Sequence, residues 1–394
     1  MKFEDKEKIR KLIIKSVRTK LIDALAEQEN VIKLEGFTTG ELDELLFDYV
    51  DTHTSIKQKR FALPFDVLRK IDMSDVSFDD FDLKQIDFSK FTGVRIDPNK
   101  LHRKKYEGVN FSGVTFLDKF SDCYIAGCNF KGSKNAVIDT VRFGGHNSFC
   151  DVTFESPITN GGISYSDFTG SKGAIVDVDK VDKISIHDCC LKDAKIRGSF
   201  NGCRITGIDF SGACAEDGSK IKINPNHIAD DEMNGEGEYV KNIMGCNFDG
   251  VEFTEEFRIY TAFLIRNTSF AGSEGAVLHP SFSIFNNDYT GATLRDVSFA
   301  PGSDIFNATL RKTDFTGSKG AVIDSSQKDM YMANLTDAAI IFSTPDRILS
   351  IPGVKTATCD GRLYCDVFCE TYTKEFEEPV KVYSKKIDEA VHKC

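Results

Sequence analysis

The sequence predicts a mainly β fold of the solenoid type, and three observations point there. A large apolar residue recurs at every fifth position in Met73, Phe78, Leu83 and Phe88, with another apolar residue two positions before each and Asp or Ser between. A helix repeats about every 3.6 residues and a strand about every 2, so a period of five requires a corner after each short extended segment. A longer unit, Phe-x-Gly-Ser-x-x-Ala-(Val/Ile), overlies the short one at residues 130–137, 168–175, 270–277 and 315–322, with a degraded copy from Phe210. Finally, the chain has 32 Phe and 11 Tyr but no Trp. That bias suits an interior of identical narrow slots, because a phenyl ring fits where the larger indole would need a partner for its N–H. Stacked units of this kind present surface rather than one deep catalytic pocket.

Residues 1–70 lack the beat and read as an N-terminal helical cap. Over residues 4–26, Ile9, Leu12, Ile13, Val17, Leu21, Ile22 and Leu25 fall at helical spacing. A second helix is expected to start after Thr38 or Thr39, with Glu41 in its first turn, and to run to about Val50. A third is expected over residues 64–70, opened by Pro64. The repeat region spans 71–344, with loop insertions expected at about 98–106, 139–148, 178–187, 214–242 and 279–288. Two of these follow one pattern: Ile96-Asp97-Pro98-Asn99 and Ile223-Asn224-Pro225-Asn226 both favour a turn away from the coil. Residues 345–394 form a small C-terminal α/β or irregular cap, with a hairpin at Asp360-Gly361 and a short helix over 381–392.

Further matches lie at Val109-Asn110-Phe111, Val114-Thr115-Phe116, Cys123-Tyr124-Ile125, Cys128-Asn129-Phe130, Cys203-Arg204-Ile205, Cys246-Asn247-Phe248, Val251-Glu252-Phe253, Thr313-Asp314-Phe315 and Ala333-Asn334-Leu335. In this pattern the chain resembles the pentapeptide-repeat family over roughly residues 70–343. The resemblance implies a right-handed, four-sided parallel β-helix with a central Leu or Phe facing the axis. The expected core therefore includes Met73, Phe78, Leu83, Phe88, Phe111, Phe116, Phe130, Phe248, Phe253 and Phe315. Cys123, Cys128, Cys189, Cys203 and Cys246 fall two positions before a centre, where Cys acts as a small apolar residue.

Twelve Cys without a secretory signal predict reduced thiols in a cytoplasmic setting, and no apolar run is long enough to span a membrane. The net charge is −11, with acidic clusters at residues 72–80 and 230–256, while the first twenty residues are basic. The basic segment reads as the solvated face of a capping helix. Several motifs are decoys. The Gly-Ser-Lys-Gly copies at Gly170 and Gly317 lack the P-loop spacing and read as tight corners. His146 near Cys150 has no third group for catalysis. Cys359, Cys365, Cys369, His392 and Cys394 do not match paired zinc knuckles. No catalytic residue, cofactor or metal is expected.

The expected function is accordingly non-enzymatic: binding of a protein partner through the outer surface and loops. Candidate contacts are the acidic residues Asp230, Asp231, Glu232, Glu236, Glu238, Glu255 and Glu256. The resemblance implies an alternative, an acidic DNA mimic that binds a type II topoisomerase such as gyrase, or another DNA-binding enzyme, to inhibit or protect it. Lys and Arg residues, including Arg103, Lys104 and Lys105, punctuate that acidity. A scaffold or effector platform is a further alternative, and direct nucleic-acid binding is not expected.

Overall fold

In an extended triplet, successive side chains point to opposite faces, so the first and third residues of each repeat turn inward and the middle one outward. The computed structural model follows this rule: Cys128 and Phe130 are buried and Asn129 between them is half-buried. It describes residues 14–20, 22–23, 33–34, 37–51, 57–101, 104–228, 231–233, 239–257, 263–279, 288–300, 304–305, 308–323, 327, 329–340, 352–359 and 362–363.

The outward residue also starts the turn that ends each triplet. Its side-chain oxygen accepts the backbone N–H two residues on, as from Ser112 to Asn110 (3.1 Å), Thr169 to Asp167 (2.9 Å) and Thr316 to Asp314 (3.0 Å). That Asx turn explains why Asp and Asn recur at this position. In the four Phe-x-Gly-Ser copies, Ser133, Ser171, Ser273 and Ser318 donate their amides to the carbonyls of Phe130, Phe168, Phe270 and Phe315 at 2.9–3.0 Å. The intervening glycines have φ between +79° and +82°, as a type II turn requires. Gly170 and Gly317 are therefore corners, as expected from their spacing.

The chain divides into two units, Met1–Val176 and Asp177–Cys394. In the first, the outward residues Asp87, Asn110, Asn129, Ser148 and Asp167 are linked by parallel bridges. From Asn110 onward each step is 19 residues, one coil of the solenoid. Side-chain amides tie rungs together on the outside: Asn110 Nδ2 donates to Asp87 Oδ1 (2.8 Å) and Asn129 Nδ2 to Asn110 Oδ1 (3.3 Å). On the inside, Phe88, Phe111, Phe130, Phe149 and Phe168 stack with centroids 4.9–6.3 Å apart and planes within 33°. Rungs of a sheet lie about 4.8 Å apart, so these rings meet in offset contact.

Before the repeats, residues 14–20 and 22–23 are helical, and a second helix spans Thr39–Leu46 behind a capping box formed by Thr38 and Glu41. This helix stops four residues short of the expected end near Val50. Phe47–Asp51 is instead a strand, paired antiparallel with Lys57–Phe61. The reason is tertiary: Phe47 packs within 5.9 Å of the rings of Phe61, Phe78 and Phe81. Lys59 bridges in parallel to Phe81, so the hairpin covers the first coil. Arg18 supplies the C-terminal end of the Thr39–Leu46 helix, donating to the carbonyls of Glu44, Leu45 and Phe47 at 2.8–2.9 Å. The third helix is a single turn, Phe65–Leu68, with Pro64 at its N-cap.

In the second unit, Cys190, Asp209, Asn247, Ser269, Thr293, Asp314, Asn334 and Thr358 form the corresponding line of bridges. Phe210, Phe248 and Phe270 stack behind it at 5.7 and 5.2 Å. The step from Asp209 to Asn247 is 38 residues, twice one coil. Within it, Cys214–Ala215 pairs with Lys195–Ile196 and Ile221–Ile223 pairs with Val251–Phe253. Asp231–Met233 and Tyr239–Asn242 form an antiparallel hairpin, and Lys241 and Asn242 pair in parallel with Phe263 and Leu264. Near the C-terminus, Thr358–Cys359 pairs antiparallel with Arg362–Leu363, flanking Asp360-Gly361. The expected helix over 381–392 lies outside the described residues.

Met73, Phe78, Leu83, Phe88, Phe111, Phe116, Phe130, Phe248, Phe253 and Phe315 are all buried, none more than 4% exposed. Each contributes roughly 1.5–3 kcal/mol. The five cysteines at inward positions are buried as well. Burial pushes the thiols of Cys123 and Cys128 up to about 12 and that of Cys203 to about 11.

Candidate interaction surface

The two Pro-Asn modules build the same corner, with Lys119 in the first at the place that Glu256 holds in the second. In each, an Asx turn holds the Asn: Asn99 donates its backbone N–H to Asp97 Oδ1, and Asn226 to Asn224 Oδ1, both at 3.0 Å. The Asn side chain then reaches a backbone carbonyl of a later coil. Asn99 Nδ2 donates to Lys119 O (3.0 Å), and Asn226 Nδ2 donates to Glu256 O (2.9 Å). Lys119 and Glu256 hold equivalent places, each just before an inward Phe (Phe120, Phe257) that bridges to the following coil at Ile138 or Leu278.

The next residues along, Asp139 and His279, therefore face Lys119 and Glu256. In the first module Lys119 Nζ lies 2.8 Å from Asp139 Oδ2 and 2.9 Å from Glu155 Oε2. Hydrogen bonds from Lys119 and then Ser156 hold the Asp139 carboxyl down at about 2, and the two carboxylates raise the Lys119 ammonium in turn. In the second module Glu256 Oε2 lies 2.7 Å from His279 Nε2, and half of the Glu256 side chain stays exposed. Glu255 is exposed beside it and accepts from Asn226 Nδ2 at 3.2 Å.

The structure thus joins Glu255 and Glu256 through Asn226. Asp231 and Glu232 lie on the first strand of the hairpin in the same unit, while Asp230, Glu236 and Glu238 fall outside the described residues. The recurrence of the module is visible in the sequence. The partners at its corner are not, because Asn226 and Glu256 are 30 residues apart and His279 and Glu256 are 23 apart. Among the described residues no group of His, Cys, Asp and Glu has the arrangement of a metal site, and no helix is long and apolar enough to cross a membrane.

No protein-family model matches the chain, and no curated protein matches it. Among solved structures it is similar to full-length QnrB1, a plasmid-mediated fluoroquinolone resistance protein, at 14% identity over 71% of this chain and 95% of that one, with a TM-score of 0.14. It is also similar to HetL, a pentapeptide repeat protein involved in heterocyst differentiation regulation from the cyanobacterium Nostoc sp. strain PCC 7120, at 12% identity over 60% of this chain and 77% of that one, with a TM-score of 0.14. At such scores the assignment rests on the chain's own geometry. With a five-residue period in the sequence, parallel rungs and an inward phenylalanine stack, the chain is a parallel β-solenoid built of five-residue repeats.

Proposed function

We propose that the protein is a non-enzymatic interaction protein that binds a protein partner through the outer faces and loops of its solenoid. The observation that supports this is the filled interior. Phe88, Phe111 and Phe130 in one unit and Phe210, Phe248 and Phe270 in the other are at most 1% exposed, so contacts with another molecule fall to the outward residues. We assign the contact region to the acidic insertion and its neighbours: Asp230, Asp231, Glu232, Glu236, Glu238, Glu255 and Glu256. Asn226 fixes the backbone beneath the last two, and a pre-ordered loop loses less entropy on binding.

The net charge of −11 favours the DNA-mimic alternative. Cross-coil pairs weigh against it, since Lys119, Arg197, Lys220 and Arg266 interleave with carboxylates on the outer surface. Two measurements separate the readings. The full-length chain, immobilised, is expected to capture a protein that the Glu255→Lys/Glu256→Lys variant does not, with both melting alike; equal capture would remove the acidic region from the contact. A gyrase supercoiling assay is expected to be unaffected, and inhibition at micromolar protein would replace the present reading with DNA mimicry.

A further inference from the structure

In the unit Met1–Val176, the strands Lys105–Glu107, Tyr124–Ala126 and Arg142–Phe143 run parallel and in register, so Lys105, Tyr124 and Arg142 form one outward row. The bridge from Phe143 to Gly161 continues that row to Asn160. Lys105 Nζ sits 5.5 Å from the centre of the Tyr124 ring, within cation–π range. Lys104 and Asp122 border the row at the adjoining corner, and the whole lines an open groove of about 520 Å³. Lys105 pairs with Glu107 at 2.9 Å. Lys104 bonds the Asn99 side chain at 3.3 Å. Neither Lys104 nor Arg142 forms an ion pair with a described residue. The groove is thus locally cationic in a chain of net charge −11.

Beside this row neighbouring rungs close tightly on glycines. A Cβ on Gly144 would lie 2.3 Å from the Tyr124 hydroxyl, one on Gly145 2.4 Å from Ser164 O, and one on Gly161 2.0 Å from Phe143 O. At the far corner the rings of His146 and Tyr165 stack, 4.5 Å apart and 8° from parallel. Both residues have left-handed backbone, φ +65° and +55°, at the corner where the two preceding coils use Gly108 and Gly127. Bulky side chains disfavour that conformation, yet Tyr165 is 51% exposed. Other coils also place non-glycine residues at this corner, at Gln85, Asp188, Asn267, Lys312 and Met332, so what sets the pair apart is the exposed ring stack itself.

We infer that this face docks an acidic, extended segment of a protein partner. Its carboxylates meet Lys104, Lys105 and Arg142 along the groove, and an apolar side chain packs on the His146–Tyr165 stack. Arg and aromatic side chains are the anchors that protein interfaces favour. A nucleic-acid strand fits less well, because Asp122 and Glu107 interrupt the cations along the phosphate path. The inference rests on reading the molecule as an interaction protein, and it names a face separate from the acidic loop.

The test is fluorescence anisotropy of the full-length protein with a labelled peptide of Glu, Gly and Phe, beside a lysine-substituted peptide and a single-stranded oligonucleotide of equal charge. Saturable binding of the acidic peptide alone is expected. Lys104→Glu/Arg142→Glu should weaken it by about tenfold or more. His146→Gly/Tyr165→Gly, which relieves the backbone strain and so preserves the fold, should weaken it by roughly fivefold. No saturable binding, equal binding by either variant, or preference for the oligonucleotide overturns the proposal. The Glu255→Lys/Glu256→Lys capture experiment is read separately, so failure here leaves the acidic-loop reading standing.

Discussion

Ser133, Ser171, Ser273 and Ser318 are 6–7% exposed, and their hydroxyls have no hydrogen-bond partner among the described residues. They share an inward position with Val114, Val152, Val251 and Val297, also buried. Buried hydroxyls can be satisfied in this fold, since Thr313 Oγ1 donates to Tyr289 O at 2.7 Å. An orphan hydroxyl costs about 1–3 kcal/mol, so Ser133→Ala or Ser318→Ala should leave thermal stability unchanged or raise it. A drop of the midpoint would show that the hydroxyl is satisfied. Phe111→Ala, by contrast, should cost about 3–5 kcal/mol in denaturant unfolding, and Phe248→Asp should abolish the local coils. The thiols divide along the same lines. Cys123, Cys128, Cys189, Cys203 and Cys246 are buried, whereas Cys150, Cys190 and Cys214 are partly exposed. Alkylation of the native protein, mapped by mass spectrometry, should label the latter three ahead of the former five. At Asp139 the folded carboxyl titrates at about 2, below its ordinary value of about 3.9. Its stabilisation is therefore complete above about pH 4 and lost as pH falls toward about 2. Asp139→Asn should flatten the acid limb of the unfolding profile, and an unchanged limb would count against the Lys119 pairing.

At the scale of elements, corners decide more than strands do. The strands of the solenoid are two to four residues long, too short to hold alone, and every coil depends on residues that accept a positive φ. Gly113 has φ +81° with open space where a Cβ would stand, while Gly161 has φ +87° with Phe143 O only 2.0 Å from that position. Gly113→Ala should therefore cost about 1 kcal/mol from backbone strain alone. Gly161→Ala must also displace a rung, and should unfold the adjoining coils in circular dichroism at temperatures where Gly113→Ala remains folded. The Thr39–Leu46 helix is set in a similar way by its ends. Thr38 and Glu41 close its N-terminus, and three carbonyls around its C-terminus accept from Arg18. The basic N-terminal segment thus has at least one structural task for its charge.

For the molecule as a whole, each coil touches its neighbours and little else, so stability is close to a sum of coil and interface contributions. Damage should stay local. Hydrogen exchange on Phe111→Ala should show lost protection near Phe88, Phe111 and Phe130, with residues around Phe315 unchanged; uniform loss would indicate one cooperative block instead. The same construction shapes the outer surface. Side chains 16 to 24 residues apart in sequence become neighbours across one rung, so a modest net charge is arranged as cross-coil pairs, an acidic corner at Glu255 and Glu256, and a cationic groove around Arg142.

The amino-acid order by itself determined the repeat, the inward Phe and Leu positions, the buried cysteines and the glycine corners. Each of these is a property of about five consecutive residues, and alternation plus turn chemistry suffices to place it. It did not determine the strand at Phe47–Asp51, which forms because Phe47 packs on rings from the first coils. Nor did it show that Glu256 meets His279, or that Lys105, Tyr124 and Arg142 share a row. Those neighbours depend on the length of every intervening coil, and paired positions lie from 16 residues apart to 38 at the excursion. An insertion shifts the partner of each outward side chain while leaving the local pattern intact, so only the stacked structure could decide which charges meet.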